Sequence, residues 1–271
     1  MKVRGVAVVT GSARGIGARI VADLHAEGLT VVVCDRNEQG ARETAATLGE
    51  GAYALPLDIT APDTPAAFVS QVEREIGPIT VWVNNAGIMP TGPFEAQSRA
   101  EADAILAVNL QGMLACTRAV LPRMTARGIG VIVNVASATG VKPLAGLAVY
   151  SASKAAVVAF TRALRRELRG SGVHVGAVLP YLAATAMGAG IQAQRGFAAA
   201  TPTQVSDEVL RVIRRREVIR FVPPSLRWGA ALMDILPLAI QDAIDDVIGT
   251  DRIGLGGDAE ARENYRHSAL D

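Results

Sequence analysis

Residues 5–17 read Gly-Val-Ala-Val-Val-Thr-Gly-Ser-Ala-Arg-Gly-Ile-Gly, and a helical pattern follows over Ile16–Glu27. The run Gly5–Thr10 is β-branched and apolar on both faces, which suits a parallel strand covered by helices on either side. Glycines at 11, 15 and 17 allow a tight turn and a close backbone approach to a pyrophosphate, and the third lets the next helix pack tightly on the strand. The start of that helix presents unpaired N–H groups and a partial positive charge to an anion. A glycine cluster alone also describes a strand–turn–helix with no ligand. Its place here, after the first strand and at the opening of a helix, is what gives it meaning.

The same texture recurs along the chain. Thr30–Cys34, Ile79–Val83, Val131–Val135 and Val173–Leu179 are further two-sided apolar runs, with a shorter one at Tyr53–Leu57. Between them lie helical patterns at Glu38–Leu48, Pro65–Ile76, Arg99–Arg127, Tyr150–Arg169 and Thr203–Arg216. Alternation of this kind predicts right-handed βαβ units and an α/β fold, a Rossmann-type doubly wound parallel sheet. Past Pro223-Pro224 the pattern changes to an apolar helical stretch, Leu226–Ile248, kinked or divided at Pro237, and then a polar tail, Asp258–Asp271, with one short helix. We therefore expect a single domain over residues 1–224 that binds a dinucleotide and carries the chemistry, with residues 225–271 a helical C-terminal extension packed on it.

Composition narrows the function classes. Half of the 271 residues are hydrophobic and the formal charge is +1, so neither disorder nor a general attraction to nucleic acid is expected. Cys34 and Cys116 stand far apart, and His25, His174 and His267 show no ligand spacing, so neither a disulfide framework nor a metal site is expected. The basic run Arg211–Arg220 reads as a solvated helix end. No transmembrane span is expected, because stretches free of charge such as Ser171–Gln194 are broken by Pro180, Gly188 and Gly190. The N-terminus enters a strand at once without a signal-peptide pattern, so a cytoplasmic location is the expectation.

Strand two runs into Asp35, 18 residues after Gly17. A carboxylate there accepts the ribose hydroxyls of an adenosine and repels a 2′-phosphate, which favours NAD. Arg36 and Arg14 argue for NADP, since either guanidinium suits that phosphate. We weigh the strand-end carboxylate more heavily. Asp58 has the position to bond an adenine amino group, and an exposed loop acid fits it equally well. Strand four ends in Asn84-Asn85-Ala86-Gly87, whose small residues leave room for a ribose at the point where strand order reverses. Asn84 and Asn109 also suit amide ties between neighbouring loops.

Tyr150 and Lys154 open a helix four residues apart. That spacing turns about 400° and rises about 6 Å, so both side chains share a face. Free tyrosine titrates near pH 10, and service as a base near pH 7 needs a depression of about 3 units, roughly 4 kcal/mol. A neighbouring ammonium and an oxidised nicotinamide, both positive, are the right kind of perturbation. Ser137, at the carboxyl end of strand five, is placed to hold a substrate oxygen beside the phenol.

With these residues assembled, the chain resembles the short-chain dehydrogenase/reductase family. The resemblance rests on Thr10–Gly17, Asn84–Gly87, Asn109, Ser137 and the Tyr150/Lys154 pair, and covers about residues 3–222 in matching order. It implies Tyr150 as acid/base, Lys154 as activator and ribose ligand, Ser137 as substrate-oxygen ligand and Asn109 as anchor of a proton-relay water. The cofactor contacts it implies in the glycine turn are Gly11, Ser12, Arg14, Gly15, Ile16 and Gly17. Asp35, Arg36, Asp58 and Ile59 follow at the adenosine end; Asn85, Ala86, Gly87, Pro180, Leu182 and Thr185 join Tyr150 and Lys154 toward the nicotinamide. Ser137, Tyr150, Tyr181, Met187 and Ile191 are the substrate contacts.

Two departures stand out. Pro180 is followed by Tyr181 where the family usually has glycine. The usual Asp-Gly-Gly at strand seven gives way to Ile219–Val222, Pro223-Pro224 and some 47 further residues. That ending is similar to family members acting on hydrophobic alcohols and carbonyls.

The leading expectation is therefore an NAD(P)-dependent oxidoreductase interconverting an alcohol and a ketone or aldehyde on a hydrophobic small molecule, as a homodimer or homotetramer. A regulatory protein binding dinucleotide without turnover is one alternative. The other is a peripheral membrane enzyme using Trp228, Leu232, Ile235 and Leu236, against which the carboxylates Asp234, Asp242, Asp245 and Asp246 count. Residues 183–200, small, glycine-interrupted and free of acidic side chains, are expected as a mobile segment over the nicotinamide end, with Thr185, Met187, Ile191 and Phe197 as contacts and 226–248 as far wall or as a cover from a neighbouring subunit.

Overall fold

The computed structural model describes residues 5–188, 190–191, 199–233 and 235–270. Among them, seven parallel strands form one sheet: β1 (Val6–Thr10), β2 (Thr30–Asp35), β3 (Ala52–Pro56), β4 (Ile79–Asn84), β5 (Gly130–Val135), β6 (Val173–Pro180) and β7 (Ile219–Val222), in the order β3-β2-β1-β4-β5-β6-β7. The expected doubly wound Rossmann-type sheet is thus present, with 219–222 added at its edge. Its order reverses between β1 and β4.

Alternate residues of each strand feed opposite layers. Val9, Val31, Val33, Val81 and Val133 point to α1 (Gly15–Ala26), α2 (Glu38–Leu48) and α7 (Pro202–Arg215), meeting Ile20, Leu24, Ala41, Val209 and Ile213. Val8, Val32, Trp82 and Ile132 point the other way, onto Phe68, Val69 and Val72 of α3 (Thr64–Glu75) and Cys116, Val120 and Met124 of α5 (Met113–Arg127). Burying both faces in this way is why the strands read as unbroken apolar runs. Capping boxes start α4 (Arg99–Leu106), through Ser98 and Glu101, and α7, through Thr201 and Gln204 with Pro202 in the first turn.

The stretch 99–127 was expected as one helix. It is continuous, but residues 107–112 are wound as a π-helix between α4 and α5, and Asn109 sits in that segment. The whole stretch is long and apolar enough to cross a membrane by length and composition. Here Ile105, Cys116, Val120 and Met124 are fully buried, so that apolar face packs in the protein core.

A buried polar string crosses the middle of the sheet. Trp82 Nε1 donates to Asn84 Oδ1 at 2.7 Å, and Asn84 Nδ2 donates to Asn134 Oδ1 at 2.8 Å and to Thr117 Oγ1 at 3.0 Å. Asn134 Nδ2 donates to Thr161 Oγ1 at 2.9 Å, on α6 (Ala148–Glu167). The string ties β4, β5, α5 and α6 together and so sets where α6, with Tyr150 and Lys154, stands against the strand ends. Asn84 takes the tying role rather than a place in the cleft.

Beyond β7, Pro237 does divide the apolar stretch, into α8 (Leu226–Met233) and α9 (Leu238–Ile248). Trp228, Leu232 and Ile235 are exposed and Leu236 is half-buried, while Lys142 Nζ pairs with Asp245 Oδ2 at 2.6 Å to hold α9. A short α10 (Asp251–Leu255) was not expected; α11 (Ala259–Leu270) is the expected tail helix. Phe197 and Asp234 lie outside the described residues.

Replacing the hub, Asn134→Ala, leaves the Asn84 amide and the Thr161 hydroxyl short of a partner. We expect a loss of about 1–3 kcal/mol, the cost of orphaned buried polar groups, read as a lower urea midpoint at unchanged slope.

Candidate active site

The carboxyl ends of β1, β2, β4, β5 and β6 open into one cleft of about 460 Å³, a size usual for small-molecule sites. Among the described residues, every expected site residue lines it except Ser12 and Asn109. Ser12 turns inward: its hydroxyl donates to Val9 O at 2.6 Å and accepts Cys34 N–H at 3.0 Å, locking the glycine turn to β2. Only its backbone remains on the turn.

At the nucleotide end, a Cβ on Gly17 would stand 2.3 Å from Gly11 O and 2.6 Å from Asn85 Nδ2, so only glycine allows α1 to start this close to β1. Arg14, at the N-cap, makes no side-chain cap and the first turn holds no acidic residue. The N–H groups of that turn are therefore free for an anion. Asn85 staples the β4 loop to the turn, its Nδ2 donating to Thr10 O at 3.0 Å and Gly11 O at 2.9 Å.

The Asp35 carboxylate is fixed by Ala13 N–H at 3.1 Å and Asn37 N–H at 3.0 Å. The Arg36 guanidinium is held by the tail: its Nη2 donates to Ser268 O at 3.1 Å and Ala269 O at 3.4 Å, at the end of α11. Asp58 turns back on its own loop, where the Thr60 hydroxyl, at 2.7 Å, is the main cause holding its carboxyl below the ordinary value. A glycine turn with clearance, an uncapped helix start and a strand-end carboxylate together fit a dinucleotide.

At the chemical end, Tyr150 and Lys154 are both buried on α6, with Nζ 5.7 Å from the centre of the phenol ring. Lys154 Nζ donates to Val135 O at 3.0 Å, and burial lowers its pKa to about 8. Burial also acts on Tyr150, in the opposite direction to the expected depression: desolvation pushes the phenol up, and hydrogen bonding with Ser137 offsets only part of the rise. The reason is that taking a phenolate out of water costs more than the surrounding protein returns. The protein alone presents a neutral phenol, a proton donor.

Ser137 Oγ accepts from Thr139 N–H at 3.2 Å and Thr139 Oγ1 at 2.9 Å and reaches Pro180 O only at 3.4 Å, so its proton can turn to a better acceptor. Asn109 lies behind the cleft. Its Oδ1 accepts Ile88 N–H at 2.8 Å and its Nδ2 donates to Ile88 O at 2.9 Å and Ser153 Oγ at 3.2 Å. It is buried within the π-helical turn Ala107–Gly112.

None of the described residues of 226–248, expected as the far wall or as a cover from a neighbouring subunit, lines the cleft. Ile253, Tyr265, Ser268 and Ala269 do. Sequence reasoning missed these four and Thr139; the glycines at 254, 256 and 257 were the one local sign of close packing in the tail.

A sequence profile described as short chain dehydrogenase matches residues 5–196. The ketoacyl reductase HetN of Nostoc sp. is 38% identical over 215 residues, covering 77% of this chain and 75% of that protein. The short-chain reductase protein NovJ of Streptomyces niveus is 40% identical over 185 residues, 67% and 70% of the two chains. Among solved structures, a 3-ketoacyl-(acyl-carrier-protein) reductase from Brucella melitensis complexed with NADH is similar with a TM-score of 0.74 at 28% identity, over 80% of this chain and 96% of that one. A metagenomic short-chain oxidoreductase in complex with NADP gives 0.68 at 33% identity, over 78% and 92%.

The Lys154 pKa has a measurable sign. The folded value of about 8 lies below the ordinary 10.5, so between them the unfolded chain binds more protons and stability rises with pH. Lys154→Met removes that dependence. Between pH 7.5 and 9.5 the stability of the wild type should gain on the variant by about 2 kcal/mol, measured by denaturant titration at each pH.

Proposed function

The chain belongs to the short chain dehydrogenase family, an NAD(P)-dependent oxidoreductase family, and on that premise we propose that it interconverts a ketone or aldehyde and the corresponding alcohol on a hydrophobic small molecule. The observation that carries the reading is the buried Tyr150–Lys154 pair beside Ser137 on the cleft floor. Gly11, Gly15, Ile16 and Gly17 would cradle the pyrophosphate, Asp35 the adenosine ribose and Lys154 the nicotinamide ribose. Bound there, the nicotinamide supplies or accepts the hydride. Ser137 holds the substrate oxygen, and Tyr150 gives it a proton in the reducing direction and takes one in the other, the same oxygen serving as acid and base. Lys154, a buried cation beside the phenol, stabilises the phenolate left behind. Ile88, Met89, Leu144, Leu147 and Ile191 around the floor supply an apolar pocket, which favours substrates with buriable hydrocarbon. In this reading residues 1–224 hold the reaction and 225–271 are packed against them.

Tyr150→Phe should keep cofactor binding and lower turnover by at least about 10²-fold, followed by absorbance at 340 nm over ketones of rising chain length. The wild type should favour the longer ketones, and turnover retained by the variant would remove the assignment of Tyr150.

NAD is the proposed partner of Asp35, because the carboxylate is fixed by two backbone N–H groups while Arg36 is held by the tail. Asp35→Ala should shift the ratio of NADH to NADPH affinity toward NADPH, by about tenfold or more for the loss of one close like-charge repulsion, in fluorescence titrations of both cofactors. An unchanged ratio counts against Asp35 as the selector.

A further inference from the structure

The wall of the cleft that faces α6 comes from a part of the chain beyond the matched family segment. Ile253, Tyr265, Ser268 and Ala269 stand there, in the same cleft as Tyr150. Three seams hold them. A Cβ on Gly254 would lie 2.0 Å from Ala145 O, so the tail backbone rests directly on the loop after β5. A Cβ on Gly257 would lie 2.0 Å from Gly190 O, and Asp258 N–H donates to that same oxygen at 2.9 Å, on the loop after β6. On the loop after β4, Arg262 Nε donates to Thr91 Oγ1 at 2.7 Å and Arg266 Nη2 to Thr91 O at 3.2 Å. Arg266 Nε also pairs with buried Glu101 at 3.0 Å. The segment thus touches all three loops that frame the substrate end, and backbone contact through glycine leaves it little play.

Within this wall the polar chemistry belongs to Tyr265. Its ring packs in the apolar cluster of Ile88, Met89, Leu147, Tyr150 and Ala269. Its oxygen accepts Met89 N–H at 3.0 Å, which fixes the oxygen in place. Its own proton has no acceptor among the described residues. Burial raises its pKa despite the charges of Arg14 and Arg36 nearby, so at neutral pH the group stays protonated and has a hydrogen bond to give. A half-used donor in an apolar wall calls for an acceptor on the ligand.

We propose that residues 250–270 form the fourth wall of this chain's own substrate site, and that Tyr265 is a specificity-determining residue that donates a hydrogen bond to a second carbonyl oxygen near the one that reacts. The favoured substrate class is accordingly a ketone carrying a nearby acyl oxygen, such as a β-keto ester, over a plain ketone of equal length. The inference deepens the carbonyl-reductase reading above and rests on it.

The test compares the full-length wild type, Tyr265→Phe and Tyr265→Leu, each with reduced cofactor, on a β-keto ester and on the plain ketone of matched length. One neutral hydrogen bond in an apolar site corresponds to a three- to tenfold effect. Tyr265→Phe should therefore lower kcat/KM for the ester by about that factor, mainly through KM, and leave the plain ketone and the cofactor Kd within about twofold. Tyr265→Leu should repeat the discrimination if the ring-preserving variant fails to fold. Calorimetric binding of both compounds to Tyr150→Phe and to Tyr150→Phe/Tyr265→Phe reports the same contact without turnover. Equal losses on both compounds, or none, overturn the inference while the reductase reading stands. A wild type that reduces neither compound ends that reading, and the binding comparison then still decides whether Tyr265 recognises the second oxygen.

Discussion

A parallel sheet exposes two apolar faces and has no short hairpins with which to hide them, so each strand must be followed by a crossover that covers one face or the other. The rest of this molecule depends on that constraint. Strands β1 to β3 send their helices to one side or the other as the chain winds outward in one direction, and from β4 the winding runs the opposite way. Where the direction changes, the loops after β1 and β4 part and leave a crevice that no helix fills. The cleft lies there, with Gly11 and Asn85 on its two lips.

Holding chemistry in such a crevice requires polar groups at the edge of a dry core, and the protein pairs them with one another. The string from Trp82 through Asn84 and Asn134 to Thr161 carries no chemistry itself, yet it joins the central strands to the helix bearing Tyr150 and Lys154. Burial then acts on the pair with opposite signs, lifting the phenol and lowering the ammonium. Both shifts favour the neutral forms. A positive charge brought by an oxidised nicotinamide would act on a phenol already held next to Ser137 and beside the Lys154 ammonium.

The tail changes the character of the crevice. An open switch point would admit ligands from a wide arc, whereas α11 spans it from Met89 to Arg36. The guanidinium of Arg36 meets carbonyls at the C-terminal end of that helix, where the helix dipole favours a cation. The adenosine end and the substrate end are thereby linked through one helix. The exposed apolar residues of α8 and α9 take no part in this wall.

Reading the residues in order was enough for the winding, the glycine turn, Asp35, the Tyr150/Lys154 face and the break at Pro237, because each is a local rule: apolar periodicity, backbone clearance, helical spacing or a missing N–H. Strand and helix limits moved by a residue or two, as at β3, Ala52–Pro56 instead of Tyr53–Leu57. What local rules could not supply was anything set by distant partners. The π-turn that carries buried Asn109 is invisible in a sequence that reads as plain helix over 99–127. The direction of the Tyr150 pKa follows from how completely its neighbours exclude water, which no spacing encodes. That Tyr265 stands beside Tyr150, 115 positions earlier in the chain, while the described residues of 226–248 stay out of the cleft, was decided by glycine backbone packed on two loops and arginine side chains bonded to a third, contacts between segments whose residue types, taken singly, say only that the chain can bend.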